Sequence, residues 1–415
     1  MPGYEAYKKL FAHLPMPFAY LDLSMLDRNI ADIAAAAGNK NIRIASKSIR
    51  SVDVLRRILD SGAPYGGVMC YTASEAAFLA DQGFDDLLLG YPTWEADGIR
   101  ALVERVAAGK QITFMVDSIE HVAHIEKFAQ GSGTRVPLCL DVDMSTSYPG
   151  LRFGVWRSPI NGWEQAKPVV EAIVGSRWLK LDGIMGYEAQ IAGVGDDVPG
   201  ATFQNRIVCF LQKRSVSEVA RRRAEVVRGL SSIGVALRFV NAGGTGSLAT
   251  SREEEFVTEV TAGSGFYGPT LFDYYKSFRY LPAAGFAVEI VRKPRVDIVT
   301  CLGGGYVASG AAGATKLPQP YLPQNLRLFS LEGAGEVQTP VLANRPEHRG
   351  LHIGDPIFFR HAKAGELCER FDCLNVVADG AIVGKYATYR GMGGTSYDQQ
   401  GMPVEQLVGH RESKA

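Results

Sequence analysis

Between residues 42 and 263, eight short apolar runs alternate with segments of helical spacing, and that alternation leaves few folds open. The runs fall at residues 42–45, 67–69, 87–89, 112–116, 136–140, 179–185, 237–240 and 259–261. Each is largely apolar on both faces, as strands of a parallel sheet covered on both sides are. The intervening segments carry apolar residues three and four apart, as in Val54, Leu55, Ile58 and Leu59, or Ile207, Leu211, Val219, Val226 and Leu230. Eight strand–helix repeats favour an α/β fold closed as a TIM-type (β/α)8 barrel over an open doubly wound sheet. The barrel is expected over residues 24–274, opening with a helix that Ser24 caps.

After Tyr274 the texture changes. Strand-like runs at 287–292, 295–300, 326–329, 356–359, 374–377 and 381–383 are punctuated by Gly and Pro, with little helical periodicity. They predict a C-terminal all-β domain, residues 275–415, completed by residues 1–23 with the run 18–23. The Gly-, Gln- and Ser-rich stretch after Tyr389 is expected to fray.

Composition narrows the partners. The chain has 415 residues, with 44 lysines and arginines balancing 44 acidic residues. No basic block dominates, so neither nucleic acid nor an anionic membrane is an expected partner. The densest basic run, Arg221-Arg222-Arg223, lies in a helical pattern and reads as a solvated face. The six cysteines are scattered with no CxxC pair, as for reduced thiols in a cytoplasmic protein. No signal-peptide core and no membrane span are expected.

Reactive groups in such a barrel collect at the C-terminal ends of the strands, and phosphate is commonly held after strands seven and eight. Lys47 follows strand one, where an amine is poorly solvated and favours the neutral form that Schiff-base chemistry needs. Asn241-Ala242-Gly243-Gly244-Thr245-Gly246 ends strand seven, and Gly263-Ser264-Gly265 ends strand eight. Glycine turns let backbone N–H groups approach phosphate oxygens, and Thr245 and Ser264 add hydroxyls. Each turn alone is an ordinary tight turn; both at these positions, beside a lysine, point to pyridoxal 5'-phosphate. Arg152, after strand five, is either a clamp for a phenolate or carboxylate or a surface arginine. Tyr187, after strand six, is either a stacking and phosphate-binding residue or a capping aromatic. Tyr267 follows the last glycine turn and joins the cofactor-binding set.

The segments Ile44-Ala45-Ser46-Lys47-Ser48, Gly183-Ile184-Met185-Gly186-Tyr187-Glu188, Gly243-Gly244-Thr245-Gly246 and Thr258-Glu259-Val260-Thr261-Ala262-Gly263 resemble fold-type III pyridoxal-phosphate enzymes. Within that group the chain is most similar to the D-threonine aldolase and D-serine dehydratase branch, including its amino acid deaminase/aldolase members. The resemblance implies a Schiff base on Lys47, phosphate around Gly243–Gly246 and Gly263-Ser264, and Arg152 near the ring hydroxyl. It also implies a homodimer whose sites are completed by the partner's β domain. The activity implied is a lyase acting on a β-hydroxy D-amino acid by retro-aldol cleavage or dehydrative deamination. The alternative is a racemase or epimerase on the same cofactor, with Lys47 as one acid/base group and Tyr306, or a tyrosine from the other subunit, as the second. A carrier without turnover and a barrel enzyme without the cofactor are two further readings. Thr261 stands where alanine racemases carry an arginine. The branch's metal pair, His-x-Cys or His-x-Asp, reads here as His361-Ala362-Lys363. His361 is expected to handle the β-hydroxyl, as a ligand with Cys368 or Glu366 of a zinc, manganese or magnesium ion, or as a metal-free base beside Lys363.

Overall fold

Eight parallel strands close into a barrel in the computed structural model: Asn41–Ala45, Tyr65–Cys70, Leu87–Leu89, Ile112–Val116, Val136–Asp141, Leu179–Gly186, Phe239–Ala242 and Glu259–Ala262. The structure describes residues 2–393, apart from 312 and 364, so the expected fraying tail lies largely outside the described residues. Closure is made by strand eight pairing with strand one, in the register Thr261 to Arg43 and Ala262 to Ile44. That pairing sets Lys47 beside the turn that begins at Gly263.

Ile42, Ile44, Val68, Phe114 and Val260 are buried on the strand faces that pack under the helices, whereas the alternate positions put Arg43, Thr113, Asp182, Asn241, Glu259 and Thr261 inside the barrel. A charged cluster sits at the base. Arg43, fully buried, donates to Glu259 at 2.7 Å and to the Asp86 carbonyl at 2.7 Å. A guanidinium so deep is held only because its partners surround it.

Local sequence explains the helices, with two departures from expectation. The helix Leu23–Ala37 is capped by Asp22, whose carboxylate accepts from the Met25 N–H at 3.0 Å, and not by Ser24, which lies within the first turn. The helix Thr202–Ser232 buries Val219, Val226 and Leu230, whereas Ile207 is 43% exposed. The basic run on this helix is not a uniform solvated face. Arg221 is exposed, but Arg223 is fully buried, because two carboxylates and a carbonyl wait for it inside.

Apart from a two-stranded hairpin, the remaining strands form a nine-stranded sheet. Phe18–Asp22 lies within it, antiparallel to Ala284–Arg295 and parallel to Cys373–Ala378. Strands Gln319–Leu322 and Gln338–Leu342 escaped the sequence reading because Pro320 and Pro340 interrupt them. Among the described residues no helix is long and apolar enough to cross a membrane.

Candidate active site

A cavity of about 950 Å3 opens at the C-terminal ends of the barrel strands. Lys47, Tyr187, Asn241, Gly243, Gly244, Thr245, Gly263 and Ser264 line it together. Lys47 stands on a single 3-10 turn, Ser46–Ser48, directly after strand one. Its side chain is exposed, a departure from the poor solvation expected, because this side of the cavity is open.

The glycine turns are drawn close to the barrel. A Cβ on Gly263 would lie 2.9 Å from that of Ala45 and 3.0 Å from that of Ser48, and one on Gly244 would lie 2.9 Å from the Tyr187 ring. Gly243 has φ +82°, a conformation that side chains disfavour. The N–H groups of Thr245 and Ser264 find no acceptor among the described residues, and the Ser264 hydroxyl lies 3.3 Å from that of Ser48. Free donors on two tight turns, opposite an amine, fit a phosphorylated aldehyde.

A buried scaffold holds the first turn. Glu188, 1% exposed, accepts from the Ser247 hydroxyl at 2.7 Å, the Ser251 hydroxyl at 2.5 Å and the Gly243 N–H at 3.3 Å. Arg223 in turn donates to Glu188 at 2.9 Å and to the Gly186 carbonyl at 2.8 Å. The sequence reading put Arg223 on a solvated face and gave Glu188 no role, since a burial-dependent pair between positions 188 and 223 has no periodic signature. Gly246 does not reach the cavity. It is there because a Cβ would strike the Ala192 carbonyl at 2.5 Å.

Arginine placement corrects one expectation. Arg152 pairs with Asp143 at 2.7 Å and lies over the Trp156 ring at 4.1 Å, away from the cavity wall. The arginine that reaches the wall is Arg157, which pairs with Asp141 at 2.7 Å and approaches the Tyr187 ring at 5.9 Å. The strands Thr146–Tyr148 and Leu151–Phe153 form a hairpin that carries Arg152 outward and returns the chain with Arg157 inward. Burial raises the Asp141 carboxyl to about 6 against the opposing pull of Arg157, and burial likewise pushes the Tyr187 phenol up to about 12.

At the far end Thr261 lines the cavity and its hydroxyl pairs with Asn241, whose amide also donates to Glu259 at 2.9 Å. The group at this end is therefore neutral.

His361, Cys368 and Tyr267 come together, but behind the wall. The strand Pro356–Arg360 runs into a backbone clamp, in which Thr270 N–H donates to the His361 carbonyl at 3.1 Å and Leu271 N–H to the Ala362 carbonyl at 2.9 Å. The clamp turns His361 inward, 1% exposed, with its ring 6.3 Å from that of Tyr267. Burial lowers the imidazole to about 3, and neither ring nitrogen makes a hydrogen bond of normal length. The Tyr267 hydroxyl and the Cys368 thiol both donate to the Ile49 carbonyl, at 2.9 and 3.4 Å, and burial pushes that thiol up to about 12. Their joint task is to hold the turn that carries Lys47. Among the described residues no three His, Cys, Asp or Glu side chains converge as a metal site. His361 lies behind the wall and the Cys368 thiol is engaged by the Ile49 carbonyl, so the two offer the cavity no ready pair of ligands. Lys363, next out of the clamp, reaches the cavity instead. Tyr306 stays off the wall, its ring 4.9 Å from that of Phe286.

Comparison with known proteins agrees with this layout. Residues 21–270 match the family model of the alanine racemase N-terminal domain. A 3-hydroxy-D-aspartate aldolase of Paracoccus denitrificans (strain Pd 1222) is 27% identical over 256 residues, covering 61% of this chain and 60% of the relative. The chain thus aligns with about three fifths of the length of the curated relatives it matches. Among solved structures, D-threonine aldolase from Filomicrobium marinum superposes with a TM-score of 0.77 at 18% identity, over 91% of this chain and 96% of that one. D-threo-3-hydroxyaspartate dehydratase from Delftia sp. HT23 gives 0.72 at 18% identity, over 91% and 98%. With the barrel, the amine and the glycine turns in place, the chain belongs to the alanine racemase N-terminal domain family, the fold-type III pyridoxal-phosphate enzymes.

Proposed function

We propose that the protein is a pyridoxal-phosphate-dependent lyase acting on β-hydroxy D-amino acids, by aldol cleavage or dehydrative deamination. The observation that carries this reading is Lys47 facing the two glycine turns across one cavity. Relatives named for a 3-hydroxy-D-aspartate aldolase support it over the racemase alternative, and Tyr306 of the same chain lies off the wall.

When bound through Lys47, the cofactor supplies an electron sink for the pair left on the substrate's Cα. Thr245, Ser264 and the turn at Gly243-Gly244 would hold its phosphate. Tyr187 would lie along its ring, while the Asn241–Thr261 pair offers the far edge a neutral partner. Arg157 brings a fixed positive charge to the wall, where it can orient an anionic group of cofactor or substrate. Which substrate bond breaks depends on which is held perpendicular to the ring.

A homodimer is part of the proposal. Tyr91 and Val307 edge the cavity and are each 44% exposed, an apolar rim suited to a second copy whose β domain closes the site. Six free cysteines support a cytoplasmic setting.

The test is an absorbance spectrum of purified protein. A band near the visible edge that borohydride bleaches, with the label mapped to Lys47, is expected. A panel of D-serine, D-threonine and β-hydroxyaspartate, with and without chelator, then separates cleavage from elimination. A colourless protein that takes up no added cofactor overturns the proposal, and sedimentation analysis tests the dimer.

A further inference from the structure

Cations crowd the cavity wall, and most have a partner. Arg50 pairs with Glu369, Arg157 with Asp141 and Arg390 with Asp372, while Arg370 lies over the Tyr306 ring. Lys47 is assigned to the cofactor. Lys363 remains. Among the described residues no carboxylate stands within ion-pair distance of its ammonium. The neighbouring carboxylate, Glu366, accepts from the Lys363 backbone N–H at 2.6 Å and makes no ion pair with the ammonium, although its charge acts on it. Burial, and after it the like charges of Lys316 and Lys47, disfavour the ammonium. A part-buried cation with no carboxylate in ion-pair contact, facing a substrate cavity, favours an electron-rich oxygen opposite it.

The same geometry disfavours a divalent ion there. The imidazole of His361 is buried behind the wall, the Cys368 thiol is engaged by the Ile49 carbonyl, and the two carboxylates on the wall are taken, Glu366 by the Lys363 backbone N–H and Glu369 by Arg50, with the amines of Lys47 and Lys363 beside them.

We infer that the Lys363 ammonium meets the β-oxygen of the substrate directly, and that this enzyme acts on that oxygen without a divalent metal ion. The inference rests on the lyase reading and names a residue for it. The contact is electrostatic: N–H groups of Lys363 donate to the β-oxygen, and no bond to carbon forms or breaks at this residue. Negative charge that gathers on the oxygen during cleavage, or on the leaving hydroxyl during elimination, is stabilised by the fixed cation.

The experiment compares two ligands of the holoenzyme after exhaustive dialysis against EDTA, with metal content measured. D-Threonine and D-2-aminobutyrate differ only in the β-hydroxyl. Their affinities are read in the stopped flow, from the change in the cofactor band before turnover. The wild type is expected to prefer D-threonine by about tenfold, the worth of a charge-assisted hydrogen bond, with or without EDTA. Lys363→Met is expected to lose that preference while binding D-2-aminobutyrate as before, and Lys363→Arg to keep part of it. Should Lys363→Met fail to hold the cofactor, Lys363→Gln enters the same comparison. A preference that EDTA abolishes and zinc, manganese or magnesium restores overturns the inference, as does one that survives Lys363→Met. If Lys47 takes the borohydride label but neither amino acid perturbs the wild-type band, the lyase reading itself fails, and this inference with it.

Discussion

Arg223 donates to Glu188 at 2.9 Å, and both side chains are shut away from water behind the first glycine turn. Glu188 spends its remaining acceptor capacity on Ser247, Ser251 and the Gly243 N–H, so the ion pair fixes the turn that faces the cavity. Replacing one member leaves the other buried and uncompensated, which costs roughly 3–5 kcal/mol. Arg223→Met should therefore lower the denaturant midpoint and weaken cofactor binding together. Measurement of both decides whether the pair serves the turn, because a purely global role would leave cofactor affinity of the folded fraction unchanged.

Lys47 is exposed and makes no packing contact that the core requires. Lys47→Ala is expected to keep the wild-type melting temperature within about a degree, since exposed substitutions shift stability little. The borohydride-fixed label should vanish. Peptide mapping of reduced protein checks this, and a label that persists elsewhere would relocate the reactive amine.

Arg152 and Arg157, five positions apart, separate cleanly by geometry. Arg157→Met should reduce cofactor or substrate affinity by about tenfold, the scale of one charge-assisted contact. Arg152→Met should leave it within about twofold, because that guanidinium is bound to Asp143 and Trp156. Equilibrium titration of each variant with pyridoxal 5'-phosphate and with D-threonine provides the comparison.

Asp141 gives a pH dependence with a defined sign. Its folded carboxyl titrates at about 6 against an ordinary value of 3.8, chiefly through burial. Between those values the folded chain holds a proton that the unfolded chain releases. This group's contribution to stability is therefore present below pH 3.8 and declines as pH rises through 6. Asp141→Asn should flatten that slope in urea titrations across the window. A variant with the wild-type slope would place the titration elsewhere.

Gly263 ties the last turn to the first strand. A Cβ there would lie 2.9 Å from Ala45 and 3.0 Å from Ser48, so Gly263→Ala should cost about 1–3 kcal/mol through overpacking. Because Ser48 is next to Lys47, the rate of cofactor loading should fall as well. Thermal melts and the rise of the cofactor band measure the two effects.

Chain order and periodicity were enough for the barrel. Eight runs buried on both faces, spaced by helical segments, have few other ways to satisfy their backbone hydrogen bonds, and the positions of Lys47, Gly243–Gly244 and Gly263-Ser264 at strand ends follow from chain order alone. The strand reading broke down where proline interrupts a strand, as at Pro320 and Pro340. Contacts between distant side chains came from folding alone. A hairpin set Arg157, not Arg152, on the wall, and a backbone clamp at Thr270 and Leu271 turned His361 inward and let Lys363 out. The pairing of Arg223 with Glu188 belongs to the same class. Periodicity reports which face of an element is buried, whereas the direction of one polar side chain depends on partners that folding brings from far along the chain.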